Sequence, residues 1–78
     1  MSSYMPHYTG YALNKLARQV AGAMDSRMSM TVEETAELIS RPTNVVTRVL
    51  RIAAGVPAFD LELDTDVKGR VVGIRRSQ

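Results

Sequence analysis

Hydrophobic residues recur at helical spacing in the first third of this chain. The pattern predicts a helix from about Gly10 to Met24, with Thr9 as its N-cap. Apolar residues three and four positions apart on one side of a helix indicate a face packed against a core. The residues that would form this face are Leu13, Leu16, Ala17, Val20 and Met24.

Two shorter helical patterns follow, and the dipeptide Arg41-Pro42 separates them. The first begins at Thr31, which is followed three residues later by Glu34, the spacing of a capping box. It is expected to stop before Pro42, because the residue preceding a proline disfavours helical geometry. The abrupt joint predicts two short helices packed at a steep angle, as in a helix-turn-helix.

The second of these patterns predicts a helix capped by Thr43 and closed by Gly55 in the left-handed conformation. One side of this helix is apolar and should face the core. The opposite side carries polar residues that can donate hydrogen bonds. The apolar side comprises Val46, Val49, Leu50 and Ala53, and the polar side comprises Asn44, Thr47, Arg48 and Arg51.

The hydrophobic period changes from helical to alternating near Phe59. Phe59, Leu61 and Leu63 alternate with acidic residues, which is typical of a half-buried strand. A turn with Gly69 at positive φ and a second strand with Val72 and Ile74 on one face complete a hairpin. The sequence therefore predicts an α+β fold of three helices and a C-terminal β-hairpin.

Composition limits the class of protein. A chain of 78 residues, 45% hydrophobic and 23% charged, fits one globular domain with a small core. There is no cysteine, so neither a disulfide nor a thiolate zinc site is available, which fits a cytoplasmic protein. No apolar run approaches the roughly 20 residues that cross a bilayer, and no signal-peptide pattern begins the chain. We expect no membrane partner.

Charge is segregated along the chain although the net charge is only +2. Basic residues cluster in segments 41–51 and 68–76, and acidic residues in segments 33–37 and 60–66. A fold that brings the two basic segments together would present a strongly basic face. We expect the acids of the first strand to point away from that face and to pair with Arg75 and Arg76 across the hairpin.

The capped helix pair followed by a hairpin resembles the winged helix-turn-helix superfamily of bacterial and phage regulators. The resemblance covers about Gly10 to Arg76, which we take as the domain (10–76), preceded by an arm (1–9). Ser40 stands where many members have glycine at the turn, and Arg41-Pro42 departs from the commonest turn sequence. The positions that match the family's small buried residue and its apolar contacts between helices are Ala36, Ile39, Val46 and Val49.

The resemblance implies sequence-specific binding of double-stranded DNA by a small transcriptional regulator without a cofactor. Residues 43–54 would be the recognition helix in the major groove, and residues 59–75 the wing on the backbone or minor groove. Arginine suits guanine, asparagine suits adenine, and threonine can donate to phosphates. The candidate DNA-binding residues are Arg41, Thr43, Asn44, Thr47, Arg48, Arg51, Lys68 and Arg70.

Other functions are also compatible with the sequence. Exposed arginines and threonines on a helix are often only solvated, and the same scaffold can serve as a protein–protein adaptor through its acidic helix and strand. Tyr11 and the arm are candidates for contact with a second copy, which would make a homodimer. We expect no enzyme and no small-molecule substrate, because no catalytic set or phosphate loop is visible. His7, the single histidine, has no cysteine to join it as a metal ligand.

Overall fold

The computed structural model describes residues 10–77, which form an α+β domain of three helices and a three-stranded antiparallel sheet. The predicted arm and the expected N-cap Thr9 lie outside the described residues. None of the described helices combines the length and the apolar composition needed to cross a membrane. The elements are α1 (Gly10–Ala23), β1 (Ser29–Thr31), α2 (Val32–Ile39), α3 (Thr43–Ala54), β2 (Leu61–Thr65) and β3 (Val71–Arg76), with 3-10 turns at Met24–Ser26 and Pro57–Phe59.

Helix α3 lies at the centre of the fold, in contact with α1, α2 and the sheet. Val46, Val49 and Leu50 on its apolar side are fully buried, together with Val20 of α1 and Ile74 of β3. This confirms the predicted inner faces of α1 and α3. Because the apolar side of α3 is buried in the core, its polar side faces solvent.

Helix α2 begins with the predicted capping box. The hydroxyl of Thr31 accepts a hydrogen bond from the Glu34 N–H at 3.0 Å, and the Glu34 carboxylate accepts one from the Thr31 N–H at 2.8 Å. The buried hydroxyl of Thr35 donates to the carbonyl of Thr31 at 2.8 Å, so it has a partner in the core. These bonds fix where α2 leaves β1.

The joint between α2 and α3 turns at Ser40, which adopts the left-handed conformation (φ 56°, ψ 50°) at the position where the resemblance placed a glycine. The prediction that Thr43 caps α3 is wrong, because extended Pro42 occupies the N-cap and Thr43 is the first helical residue. The N–H groups of Val45 and Val46 both donate to the Pro42 carbonyl at 3.0 Å. Proline fixes its own φ near the value observed here, −69°, and so pre-sets the start of the helix.

The end of α3 also differs from the prediction. Gly55 is right-handed (φ −83°, ψ −5°), and its N–H donates to the carbonyls of Arg51 and Ile52. The last turn of α3 is therefore tightened, and the chain does not reverse direction at Gly55. It continues into the turn at Pro57–Phe59. A left-handed glycine is not needed for this path.

The sheet contains a strand that the sequence did not predict. Strand β1 pairs with β3, which in turn pairs with β2, so that Met30 and Leu63 both lie opposite Ile74. The backbones of β1 and β3 approach so closely that a Cβ on Gly73 would overlap the carbonyl oxygen of Met30. Glycine is required at this position for steric reasons.

The hairpin departs from simple alternation at both ends of β2. Phe59 belongs to a 3-10 turn and Asp60 has φ 62°, so the strand begins at Leu61. The register shifts between Asp64 and Thr65, and Thr65 pairs with Val71. Val72 is therefore left 42% exposed, which corrects the expected inward position.

The two arginines at the end of β3 have different roles. Arg75 contacts Glu62 at 3.0 Å and Asp64 at 3.4 Å, which confirms the predicted cross-strand pairing. Arg76 instead donates to the carbonyls of Met24 and Arg27, at 2.6 and 2.9 Å. It faces the opposite side of the sheet from Arg75, so the expected pairing of Arg76 with acids is wrong. Its hydrogen bonds connect β3 to the segment that follows α1.

Candidate nucleic-acid interface

The outward face of α3 carries three polar side chains that form no hydrogen bond with another described residue. Asn44, Arg48 and Arg51 are exposed, and their side chains make no hydrogen bond or ion pair with another residue of the segment 10–77. They follow one another at spacings of four and three positions, so they project from the same side of the helix. This side lies opposite the buried valines and leucine described above.

The two threonines of α3 differ in their availability. Thr43 is exposed in the first turn, whereas the half-buried Thr47 donates its hydroxyl to the carbonyl of Asn44 at 3.1 Å. A hydroxyl can donate only one proton, so Thr47 must break this bond to donate to a phosphate. Thr43 is the readier donor of the two.

A groove of about 410 Å³ separates the first half of α3 from the start of β3. This surface, which we call the α3–β3 groove, lies between the helix and the first residues of β3, next to the hairpin turn. The beginning of the polar face of α3 therefore adjoins the start of β3. The groove is lined by Val32, Glu33, Thr43, Asn44, Thr47, Val71 and Val72.

The tip of the hairpin is organised by the carboxylate of Asp66. One oxygen accepts hydrogen bonds from the N–H groups of Lys68 and Arg70, both at 2.9 Å, and Gly69 takes the predicted positive φ of 82°. The second oxygen contacts Nε of Arg70 at 3.1 Å. Hydrogen bonding from the Arg70 backbone, reinforced by Lys68, holds the pKa of the Asp66 carboxyl below its ordinary value.

The two cations of the tip are consequently unequal. The ammonium of Lys68 has no partner among the residues that the structure describes, whereas the guanidinium of Arg70 is held by Asp66. The Arg70 side chain remains 73% exposed, so it can still face solvent or an anion. Lys68 thus offers the less compensated positive charge.

Arg41 is the predicted site residue that the structure separates from the others. Its guanidinium donates to the carbonyls of Ile39 and Ser40, at 3.2 and 3.0 Å, at the end of α2. It lines a cleft with Lys15 and Gln19 of α1. In this position it satisfies carbonyl groups that the helix end leaves free.

The acids of β2 are compensated within the hairpin. Glu62 and Asp64 flank Arg75 on the outer face of the sheet, with side chains about half exposed on all three residues. Arg75 therefore offsets one of their two negative charges. Glu33 and Glu37 of α2, in contrast, have no ion-pair partner in segment 10–77.

A second groove, of about 510 Å³, lies between α1 and the turn after α3. Tyr11, Lys15 and Arg18 line one wall, and Val56 and Phe59 lie on the other. Tyr11 is 75% exposed, and the Lys15 ammonium lies 5.5 Å from the centre of its ring. This groove contains the described part of the surface that the sequence suggested for a second copy.

Comparison of the chain with protein-family models, curated proteins and solved structures finds no match. Among the described residues, no group of three or more His, Cys, Asp or Glu side chains is arranged to hold a metal ion.

Proposed function

We propose that this protein is a winged helix-turn-helix domain that binds double-stranded DNA sequence-specifically, as a small cytoplasmic regulator of transcription. Helix α3 would enter the major groove, and the hairpin at residues 59–75 would contact the backbone or minor groove. The observation that carries the proposal is the row of unengaged side chains at Asn44, Arg48 and Arg51, beside a groove shared with the hairpin.

The chemistry of this row suits the edges of bases. Arg48 and Arg51 can each present two N–H donors to O6 and N7 of guanine, and Asn44 can bond N6 and N7 of adenine. The major groove is about 12 Å wide and admits a helix of about that diameter. Because these three side chains have no internal partner, their contacts with bases would break no hydrogen bond within the described domain.

Contacts with phosphates would come from both ends of the same surface. The N–H groups of Thr43 and Asn44 begin a helix without a side-chain cap, and helix N-termini favour anions. At the hairpin tip, Lys68 supplies the uncompensated charge and Arg70 the compensated one. Such contacts fix the position of a protein on DNA, whereas base contacts specify the sequence.

Arg41 would support this surface indirectly. Its bonds to the carbonyls of Ile39 and Ser40 hold the turn from which α3 departs. We assign it a structural role in the angle between α2 and α3. The exposed Tyr11 would contribute to a homodimer through α1 and the arm.

The adaptor alternative depends on acidic contact surfaces. One of the two surfaces expected for it, the acids of β2, is partly neutralised, because Arg75 contacts both Glu62 and Asp64 and offsets one of their two negative charges. This pairing favours the DNA-binding proposal.

Selection from random duplexes with the full chain tests the proposal, with Arg48→Ala and Arg75→Ala compared on the enriched site. Both changes remove one positive charge, but only Arg48 lies on α3. Arg48→Ala should cost about 1–3 kcal/mol of binding free energy and relax the preference at one position, while Arg75→Ala has little effect. Selection that enriches no sequence, or a partner protein that co-purifies after nuclease treatment and is lost on charge reversal of Glu33 and Glu37, would contradict it.

A further inference from the structure

The three glutamates of α2 have different surroundings. Glu34 is engaged in the capping box with Thr31, and Glu37 lies one turn further along, outside the α3–β3 groove. Glu33 lines that groove beside Thr43 and Asn44. Its exposed carboxylate forms no hydrogen bond or ion pair with any residue of the described segment.

A free acid at this place is unexpected on a surface that meets a polyanion. Near a phosphate, the Glu33 carboxylate would be repelled, and the domain has no cation bound to it that would offset this cost. The acid therefore disfavours DNA positions that bring a phosphate into this part of the groove. A favourable contact must come from a hydrogen-bond donor, because a carboxylate only accepts.

The major groove of DNA offers such donors only on amino groups, N4 of cytosine and N6 of adenine. In adenine the amino group lies beside N7, which is an acceptor and would repel a carboxylate. In cytosine the neighbouring position carries C5–H, which does not. A glutamate at the wall of the groove therefore prefers cytosine.

The walls around Glu33 strengthen this preference. Val32, Val71 and Val72 line the same groove without donors on their side chains, and the donors of Thr43 and Asn44 form no hydrogen bond with Glu33. When a duplex covers the groove, water is excluded there. A single charge-assisted hydrogen bond then counts for more than it would in open solvent.

We propose that Glu33 is a specificity-determining residue, which accepts a hydrogen bond from N4 of one cytosine in the target site. This inference rests on the DNA-binding function proposed above. It assigns a base preference to α2, in addition to those of α3. The contact would be weakened if Glu33 were replaced by glutamine, whose neutral amide oxygen accepts a weaker hydrogen bond than a carboxylate.

The test compares duplex selection by the unaltered protein, Glu33→Gln and Glu37→Gln. Both variants remove one negative charge from the same exposed helix, so they share any effect of net charge. We expect the unaltered protein and Glu37→Gln to enrich cytosine at one common position. Glu33→Gln should lose about fivefold or more of the discrimination at that position and retain the rest of the site.

A modified duplex provides a second measurement that requires no further variant. Replacing the selected cytosine by an analogue without its 4-amino group should weaken binding of the unaltered protein. It should weaken Glu33→Gln less, because the neutral amide oxygen of glutamine accepts a weaker hydrogen bond from N4 than the carboxylate does. Circular dichroism of both variants verifies that the helix content of the protein is unchanged.

The outcomes separate the inference from the function on which it rests. If the unaltered protein enriches a site but Glu33→Gln enriches the same one, or Glu37→Gln changes it equally, the role of Glu33 is overturned and DNA binding stands. If the unaltered protein enriches no sequence, both proposals are overturned.

Discussion

The carboxylate of Asp66 lies 3.1 Å from Nε of Arg70 across the tip of the hairpin. The same carboxylate accepts the N–H groups of Lys68 and Arg70, so one acidic side chain both shapes the turn and compensates one of its two cations. The Lys68 ammonium, two residues from Asp66, has no such partner among the described residues. The two basic residues of the tip should therefore contribute differently to DNA binding.

Substitution of Lys68 should change the salt dependence of DNA binding more than substitution of Arg70. Each phosphate contact contributes about −0.9 to the slope of log K against log salt concentration. We expect Lys68→Ala to make the slope shallower by about this amount, because the free ammonium displaces a counterion. Arg70→Ala should have a smaller effect, since Asp66 already offsets its charge.

Fluorescence titrations of one duplex at several salt concentrations measure both slopes. Arg75→Ala serves as the control, because it removes an equal charge that Glu62 and Asp64 compensate. Equal slopes for Lys68→Ala and Arg70→Ala would show that the ion pair with Asp66 does not persist on DNA.

The turn should loosen in acid because of Asp66. Its pKa is lowered in the folded protein, chiefly by hydrogen bonding from the Arg70 N–H. The stabilisation of the folded turn by the Asp66 carboxylate is therefore complete above the ordinary carboxyl pKa of about 4. It is lost as the pH falls through the lower pKa of the folded protein. The amide resonances of Lys68 and Arg70 should shift together in this acidic range.

Asp66→Asn provides the comparison for this titration. It retains one acceptor oxygen but cannot titrate, so the acid-dependent shift of the Lys68 and Arg70 amides should disappear. A shift of the same size in Asp66→Asn would assign the transition to another group.

Strand β1 makes Gly73 the position most sensitive to a single added methyl group. Gly73→Ala should destabilise the protein by about 1–3 kcal/mol, because the new Cβ would overlap the carbonyl of Met30 and force the strands apart. Gly22→Ala, on an exposed helical site with open space, should instead stabilise it by about 0.5–1 kcal/mol. Denaturant unfolding measures both changes, and a neutral Gly73→Ala would argue against the pairing of β1 with β3.

The two threonines that begin helices should respond differently to alanine. Thr31→Ala removes the hydroxyl that accepts the Glu34 N–H, and should cost about 1 kcal/mol of unfolding free energy. Thr43→Ala removes no capping bond, because Pro42 is the N-cap, and should stay within about 0.5 kcal/mol of the unaltered protein. If thermal or denaturant unfolding showed comparable losses of stability for the two variants, Thr43 would act as an N-cap and this assignment would be wrong.

The helices and the faces of α3 could be predicted because their hydrophobic period is long enough to be unambiguous. Strand β1 could not, since Ser29–Thr31 is too short to show alternation and owes its conformation to pairing with β3. The inward position expected for Val72 failed for a similar reason. Val72 is the unpaired residue where the register shifts, and the place of this shift depends on how β2 and β3 pair, not on either strand alone.

In the candidate site, too, the features set by local sequence could be predicted, whereas those set by tertiary packing could not. The unengaged side chains of Asn44, Arg48 and Arg51 follow from helical spacing, and so were foreseen. The inward turn of Arg41 depends on the carbonyls at the end of α2, and the approach of Glu33 to α3 depends on the packing of three elements. The spacing of Asp66 before Lys68 and Gly69 was a local signal for an aspartate-capped turn that could have been used.

Amide chemical-shift mapping of the labelled full chain with an enriched duplex tests the central claim most directly. If the outward face of α3 and the hairpin tip form one DNA-binding surface, the largest shifts should occur at Thr43, Asn44 and Lys68. Residues 11–18 of α1, which line the other groove, should change little. Large shifts confined to that groove, or no shifts with a duplex that selection has enriched, would contradict the claim.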